Sequence, residues 1–149
     1  MSSLVVEKSR KKAAIVLSDQ SQLTGYIFLG AFTETGSRPQ TILELLEAEG
    51  RFLPFENSNG DCEFLNQDHI VWLSAALDPE QPKGPIEPEK RTVTVFLAGG
   101  KRIRGEMLME LPREKARLSD WLNSTGRFMT LQDGKREVHL NSRYVIKVV

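Results

Sequence analysis

The chain has 149 residues, 40% hydrophobic and 27% charged, which is the composition of a folded protein and not of a disordered one. A single cysteine excludes an internal disulfide framework and a multi-cysteine metal site, and two histidines are too few for a histidine metal cage. No stretch reaches the roughly 18 apolar residues of a membrane span, and the N-terminus lacks a signal-peptide core. We therefore predict a cytoplasmic protein with no membrane association, no metal and no cofactor.

Charge is unevenly distributed, although the formal net charge is zero. Residues 1–90 contain 8 Lys and Arg against 14 Asp and Glu, a net charge of −6. Residues 91–149 contain 12 against 6, a net charge of +6. This asymmetry divides the chain into an acidic part and a basic part.

The N-terminal part begins with a basic segment. Residues 1–12 include the run EKSRKK and are predicted to form a flexible tail. The run AIVLSDQSQLTGYIFL then predicts a β-hairpin, with the long polar stretch SDQSQ as its turn. Gly25 lies in the second strand of this hairpin, where a glycine is typical of a bulge or a sharp bend.

A short amphipathic helix is predicted next, in TILELLEAEG. Ile42, Leu45 and Leu46 recur at the spacing of one helix face. Thr41 and Glu44 have the spacing of a capping box, in which each side chain bonds the backbone N–H of the other residue.

The tripeptide Gly-Arg-Phe follows the predicted helix. Gly50 lies where a left-handed helix C-cap favours glycine, Arg51 comes next, and Phe52 begins a predicted third strand. A polar turn, a fourth strand CEFL and a corner at Asn66 lead to a fifth strand, HIVWL. Residues 13–75 are thus predicted to form one unit of about five strands with one inserted short helix.

Residues 76–91 separate this unit from the rest of the chain. Their prolines recur at every third position, which is typical of a polyproline II spacer. We interpret the segment as a Pro-rich linker; the alternative is a PxxP ligand for an SH3-like domain. The prolines are Pro79, Pro82, Pro85 and Pro88.

The remaining residues, 92–149, repeat the same order of features. An offset of 80 aligns Gly25 with Gly105, an offset of 76 aligns the first Gly-Arg-Phe with a second, and an offset of 75 aligns Asn66 with Asn141. We therefore predict that the chain is a duplication of one unit. The markers of the repeat are Gly50, Arg51, Phe52, Asn66, Gly126, Arg127, Phe128 and Asn141.

The second unit has sharper local signals than the first. Gly99 and Gly100 stand between two strand-like runs and predict a tight hairpin turn. In the helix ARLSDWLNSTG, Ser119 is the predicted N-cap and Gly126 the predicted C-cap glycine.

The order of these features resembles the Sm-like fold, a small and strongly bent β-barrel. The resemblance implies a mainly β (α+β) protein of two tandem bent-sheet or barrel units, each of about five strands with one inserted short helix. The chain departs from the family in two ways. A helix replaces the loop after the second strand of each unit, and Asn66 and Asn141 stand where the family tends to have Arg or Lys. The chain also resembles duplicated-domain proteins of bacteria, which implies no function. The carrying residues are Val93, Val95, Leu97, Gly99, Gly100, Ile103, Gly105 and the run NSRYVI, with weaker matches at Ile15, Leu17, Leu23, Gly25 and residues 66–71.

No arrangement of residues typical of a catalytic site is present in the sequence, so we predict that the protein is not an enzyme and identify no small-molecule substrate.

His69 and His139 are interpreted as ordinary sheet residues, and Cys62 as the first residue of a strand. Trp72 and Trp121 occupy apolar positions, with stacking on nucleic-acid bases as the alternative to core packing. The repeated arginines, in this interpretation, cover apolar surface or bond helix-end carbonyls.

Basic residues of the second unit are the candidates for binding nucleic acid or another anion. Strand alternation places Arg102 and Arg104 on one face and Ile103 on the other. The alternatives are a solvated face and a contact with an acidic protein surface. The candidate residues are Lys101, Arg102, Arg104, Arg143 and Lys147.

The charge difference between the repeats indicates a function. Residues 13–75 have 2 Lys and Arg against 9 Asp and Glu, a net charge of −7, and residues 92–149 have 11 against 6, a net charge of +5. We predict a non-enzymatic interaction or scaffold module that associates with a protein partner or with itself through oppositely charged repeats. An RNA- or DNA-binding module that uses the basic face of the second repeat is the alternative.

Overall fold

The protein is mainly β: ten strands form antiparallel sheet structure that is open at its ends, accompanied by two short helices. A computed structural model describes residues 8–30, 39–48, 50–77, 89–109 and 117–149. The strands are β1 (Lys8–Leu17), β2 (Gln22–Gly30), β3 (Phe52–Asn57), β4 (Cys62–Asn66), β5 (Ile70–Ala76), β6 (Glu89–Leu97), β7 (Arg102–Met109), β8 (Phe128–Asp133), β9 (Arg136–Asn141) and β10 (Val145–Val148). The helices are α1 (Ile42–Glu47) and α2 (Leu118–Ser124).

The chain divides into two compact units, Met1–Ile70 and Val71–Val149. In the first unit the order of hydrogen-bonded strands is β1-β2-β3-β4. In the second unit the order is β10-β6-β7-β8-β9-β5. Among the described residues, neither order returns to its first strand, so the predicted five-stranded barrels do not form and the sheet is open.

The boundary between the units falls five residues before the predicted end of the first repeat. From Val71 onward β5 belongs to the second unit, where Trp72–Ala76 pair with β9. The strand was predicted to complete the first unit. It pairs with β9 along Trp72–Ala76, and in chain order it remains the fifth strand of the first repeat.

Residues 8–12, predicted to belong to a flexible basic tail, are part of β1. They pair residue by residue with β2, from Lys8 opposite Gly30 to Lys12 opposite Tyr26. Arg10 lies 4.1 Å from the centroid of the Tyr26 ring and 3.5 Å from the Glu56 carboxylate, so its charge has partners within the sheet.

Two other boundaries differ from the sequence-based expectation or fall outside the described residues. Residues 89–91 were assigned to the linker, but they belong to β6 and pair with β7. The four prolines of the predicted polyproline spacer lie outside the described residues, so that expectation stays a prediction.

Hydrogen bonds recur at positions of the two units that the predicted duplication aligns. The first hairpin turn is closed by the N–H of Leu17 donating to Ser21 O, and the second by the N–H of Leu97 donating to Lys101 O. The two connections have the same length, so SDQSQ is not a longer turn than Gly99-Gly100. The first turn has one residue with a left-handed backbone, Gln20 (φ 70°), and the second has two, Gly99 (φ 92°) and Gly100 (φ 94°).

The glycines inside β2 and β7 permit a close approach of the next strand. A Cβ on Gly25 would meet the Glu56 carbonyl oxygen, and a Cβ on Gly105 would lie 2.8 Å from the Gln132 carbonyl oxygen. Pairing with the preceding strand is continuous past both glycines, so the predicted bulge is not observed there. Their missing side chains let β3 and β8 cross tightly.

The helices confirm one predicted cap and correct three. In α1 the N–H of Glu44 donates to the Thr41 hydroxyl, and the N–H of Thr41 donates to the Glu44 carboxylate, so the capping box is confirmed. Helix α2 begins after Arg117 with no side-chain cap, so the prediction of Ser119 was wrong.

Both helices end without a left-handed glycine. Their C-cap residues are Ala48 and Thr125, each with extended backbone. Gly50 and Gly126 therefore lie beyond the caps that they were predicted to form. Ile42 and Leu46 of α1 are buried, whereas no residue of α2 is, so Trp121 is only half-buried rather than part of the core.

Candidate functional site

The fourth strands of the two repeats have the same place in their units but different surroundings. Strand β9 lies between β8 and β5, and five of its six residues are buried. Strand β4 pairs with β3, and among the described residues of its own unit nothing pairs with its other side. Three of its five residues are exposed. The first unit therefore ends in an open strand where the second does not.

Apolar side chains are concentrated at this open strand. Phe52 is 55% exposed, while its equivalent Phe128 is 2% exposed. Phe64 is 66% exposed, while its equivalent His139 is 2% exposed. We call Phe52, Cys62 and Phe64 the β4 edge. Phe52 of β3 lies opposite Asn66 of β4. Because alternate residues of a strand point to the same face, Cys62 and Phe64 lie on the same face as Asn66 and therefore as Phe52.

The fifth strands of the two repeats, β5 and β10, also differ in burial: here the strand of the first repeat is covered and that of the second is exposed. Six of the seven residues of β5 are buried or half-buried, whereas Ile146 in β10 is 67% exposed and Val149 71% exposed. Strand β10 pairs with β6 and ends the strand order of the second unit. We call Ile146, Lys147, Val148 and Val149 the β10 edge. Each unit thus has one open, apolar strand.

The Gly-Arg-Phe and Leu-Asn segments meet at the corner before each fifth strand. The carbonyl oxygen of Arg51 accepts the N–H of Gln67 at 2.8 Å, and that of Arg127 accepts the N–H of Ser142 at 2.9 Å. The two arginines therefore share a backbone contact at this corner, and their predicted side-chain role stays a prediction. The Arg127 guanidinium also lies 5.9 Å from the Phe128 ring centroid.

The two asparagines cap one turn of 3₁₀ helix at the same corner. Asn66 Oδ1 accepts the N–H of Asp68 at 3.0 Å, and Asn141 Oδ1 accepts the N–H of Arg143 at 3.1 Å. The corner is tied to the first hairpin of its repeat through a backbone bond in each unit: Ser18 N–H to His69 O and Ala98 N–H to Tyr144 O, both 2.8 Å. The arginine and asparagine markers of the repeat therefore hold this corner through hydrogen bonds.

Three of the predicted basic candidates line one concave surface of the second unit. Its volume is about 820 Å³, and Lys101, Arg102 and Arg104 all contribute to its wall. Sequence analysis missed Lys90 and Arg136, which also line it, because they lie on β6 and β9 and reach the surface only through sheet pairing. The half-buried Trp72 adds an aromatic ring, while Glu106 and Asp133 place two carboxylates in the same wall.

The other two basic candidates lie beside or outside this surface. Lys147 Nζ is 4.5 Å and the Arg102 guanidinium 5.1 Å from the centroid of the Phe96 ring, so the two cations share one aromatic side chain. Arg143 lies in the corner before β10, where its backbone is bonded to Asn141. The structure thus brings four of the five candidates together.

The His139 ring lies in a buried cluster of polar side chains, with Thr130 and Glu137, that sequence analysis missed. Its Nδ1 lies 2.8 Å from the Thr130 hydroxyl and its Nε2 3.2 Å from the Glu137 carboxylate. With the proton on Nε2, the ring donates to Glu137 and accepts from Thr130. Because His139 is 2% and Glu137 6% exposed, we interpret these bonds as satisfying polar groups inside the sheet. Strand alternation could have placed Glu137 and His139 on one face.

Of the other predicted residues, Cys62 has its predicted position at the start of a strand, and His69 does not lie in a strand. Cys62 begins β4 and is exposed. His69 lies in the 3₁₀ turn before β5, and its Nδ1 is 2.7 Å from the Ser18 hydroxyl. Asp19 in the neighbouring turn has a lowered pKa, because its carboxylate accepts hydrogen bonds from the Ser21 hydroxyl and the Ser21 N–H.

The fold defines a class, namely a mainly β protein with an open antiparallel sheet and two short helices. No protein-family model, curated protein or solved structure matches this chain. Within the described residues, none of the helices is both long enough and apolar enough to cross a membrane.

Proposed function

We propose that the protein is a non-enzymatic interaction or scaffold module that associates with further copies of itself through its oppositely charged repeats. The observation that carries the proposal is the position of its exposed apolar side chains. The described residues contain five exposed large hydrophobic residues, of which four lie at the β4 edge or the β10 edge. Open strands with apolar side chains gain free energy by pairing, because burial removes apolar surface from water and satisfies unpaired backbone groups.

Charge supports contact between unlike units. The first unit, residues 1–70, has 6 Lys and Arg against 10 Asp and Glu, a net charge of −4, and the second, residues 71–149, has 14 against 10, a net charge of +4. The difference is smaller than that between the predicted repeats, because four basic residues of β1 belong to the first unit. Opposite net charges accelerate encounter and disfavour contacts between like units.

The remaining parts of the proposal rest on the sequence. The Sm-like resemblance is retained for the order of the strands and the corner before the fifth strand, and not for a closed barrel. The proposed location is the cytoplasm, and the proposed partner is a protein surface, in the first place that of a second copy.

Sedimentation of the purified chain at rising concentration tests this function. We expect oligomers whose dissociation constant rises with salt, because the charge contribution is screened within about 10 Å at 0.1 M ionic strength. Phe64→Lys adds a positive charge to the β4 edge and is expected to abolish association with the basic unit. Leu43→Lys is the matched control, since Leu43 is an exposed apolar residue of α1, outside both edges. Monomers at every concentration and salt would contradict the proposal.

The cationic concave surface favours a second candidate, the binding of single-stranded nucleic acid. Five Lys and Arg side chains line it beside Trp72, which supplies a ring on which a base can stack. Phosphate contacts by Lys and Arg would make the affinity fall steeply with salt.

Fluorescence anisotropy with labelled single-stranded RNA and DNA oligonucleotides distinguishes the two candidates. If the surface binds phosphates, Arg102→Glu with Arg104→Glu lowers the affinity by about tenfold or more and flattens its salt dependence. Arg143→Glu makes the matched control, because Arg143 lies outside the concave surface. Equal affinity of the unmodified protein, the double variant and the Arg143→Glu control would show that this surface does not bind the oligonucleotides.

A further inference from the structure

The concave surface of the second unit carries charges of both signs that have no ionic partner. Five basic side chains and two carboxylates line it, which leaves a net charge of +3. In the part of the chain that the structure describes, none of these side chains forms an ion pair, with one another or with any other residue. They are therefore available to a ligand. The charged lining residues are Lys90, Lys101, Arg102, Arg104, Arg136, Glu106 and Asp133.

At the matching place in the first unit, the side chains pair with one another instead. Arg10 lies 3.5 Å from the Glu56 carboxylate and 4.1 Å from the centroid of the Tyr26 ring. Tyr26 and Glu56 lie opposite each other on β2 and β3. The residues that the predicted duplication aligns with these three are Lys90, Glu106 and Gln132. The internal cluster of the first unit is thus replaced in the second by unpaired charges.

Additional cations distinguish the second unit at the same surface. Arg102 aligns with Gln22 at an offset of 80, and Arg136 aligns with Asp61 at an offset of 75. The second of these differences reverses a charge. Together with the missing ion pair, they suit the surface of the second unit to an external partner, whereas the first unit satisfies its own charges there.

The two carboxylates indicate which class of polyanion fits. Glu106 lies opposite Gln132, and Asp133 follows Gln132 along β8, so the carboxylates occupy neighbouring positions of the wall. A phosphate backbone carries a negative charge on every nucleotide, and both carboxylates would repel it. A polypeptide can combine several Asp and Glu residues for the cations with a Lys or Arg for the carboxylates. Ile103 and Trp72, half-buried in the same wall, suit an apolar side chain of such a polypeptide.

We propose that the concave surface binds an acidic segment of a partner protein, which places a Lys or Arg at Glu106 and Asp133 and an apolar side chain at Trp72. The proposal rests on the proposed role as an interaction module and gives that role a further contact. This contact is separate from the open strands, since no residue of β4 or β10 lines the surface. Complementary charges give such a contact its specificity and a fast, salt-sensitive association.

Fluorescence anisotropy with three labelled synthetic peptides of equal length tests the proposal. The first consists of Asp, Glu and Leu with one central Lys, the second has Gln in place of that Lys, and the third has Asn and Gln in place of the acids. We expect the unmodified protein to bind the first about threefold more tightly than the second, because only the first can pair with the wall carboxylates. The third should not bind measurably, because it offers no negative charge to the five cations.

Two double variants separate the roles of the two signs of charge. Arg102→Glu with Arg104→Glu should weaken the binding of both acidic peptides by about tenfold or more. Glu106→Gln with Asp133→Asn should make the two acidic peptides bind equally, because the peptide lysine then lacks a carboxylate partner. Arg143→Glu is the matched control, since Arg143 is exposed and lies outside the surface, and it should leave the order of affinities unchanged. Circular dichroism checks that each variant is folded.

A labelled single-stranded RNA oligonucleotide supplies the comparison with the other ligand class. Tighter binding of the RNA than of the first peptide, with a further gain when Glu106 and Asp133 are neutralised, would overturn the proposal in favour of nucleic acid. Equal binding of the acidic and neutral peptides, or no binding of any peptide, would also overturn it.

Sedimentation of the unmodified protein separates this failure from that of the proposed self-association. Oligomers without peptide binding would refute only the contact with an acidic segment. Peptide binding without oligomers would support that contact and refute self-association. If neither is observed, the inference and the proposed function both fail.

Discussion

Strands β3–β4 and β8–β9 are hairpins at matching positions in the two units, yet one is open and the other is covered. Phe52 and Phe128 are the same residue at equivalent positions, but only Phe128 has β5 beside its hairpin. Side-chain identity therefore does not decide which of the two is buried. What decides it is whether a neighbouring strand is present, and in this chain that strand comes from the other repeat.

The largest expected difference between the copies is the effect of removing their equivalent phenylalanines. Phe128→Ala should lower the free energy of unfolding by about 3–5 kcal/mol, because it leaves a cavity in a packed core. Phe52→Ala should change the stability of the dilute monomer by less than about 1 kcal/mol, because its ring is more than half exposed. Urea unfolding of both variants measures the difference. Equal losses would show that the two hairpins are covered alike.

A second comparison concerns the glycines at which strands cross. Gly105→Ala should cost about 1–3 kcal/mol, because the new methyl group would press on the Gln132 carbonyl and Leu131. Gly25→Ala should cost more, since its methyl group would meet both the Glu56 carbonyl and the Phe55 ring at closer range. Thermal unfolding of the two variants gives the order. A milder effect at Gly25 would contradict the tighter crossing of β2 and β3.

The smallest expected difference lies in the hairpin turns. Gln20→Gly should stabilise the protein by up to about 1 kcal/mol, because Gln20 has a left-handed backbone that glycine adopts without strain. The converse change, Gly100→Gln, should cost about as much, since open space surrounds the position and backbone strain is the only penalty. The urea concentrations at the midpoint of unfolding, measured for both variants and the unmodified protein, check both predictions. The same sign for both changes would show that the two turns are not equivalent.

Local features could be predicted from the sequence because neighbouring residues determine them. The capping box of Thr41 and Glu44, the turn at Gly99-Gly100 and the corners at Asn66 and Asn141 each depend on a few consecutive residues. The matching order of strands in the two halves was also predictable, because the order of these local features recurs along the chain. The basic cluster at Arg102 and Arg104 followed from strand alternation.

Features that depend on pairing between distant segments could not be predicted. The sequence of β5 does not indicate that its partner is β9, 60 or more residues away along the chain. The open sheet, the different exposure of Phe52 and Phe128, and the membership of Lys90 and Arg136 in the cationic surface all follow from such pairings. The role of Gly25 also needed the position of β3.

Hydrogen exchange of the backbone amides in β4 and β9 most directly tests the claim that one of two equivalent strands awaits a partner. In dilute protein we expect the outward-facing amides of β4 to exchange rapidly while those of β9 stay protected, because only β9 is bonded on both sides. At high concentration β4 and β10 should become protected together. Slow exchange of β4 in the dilute monomer, or no concentration dependence in either strand, would contradict it.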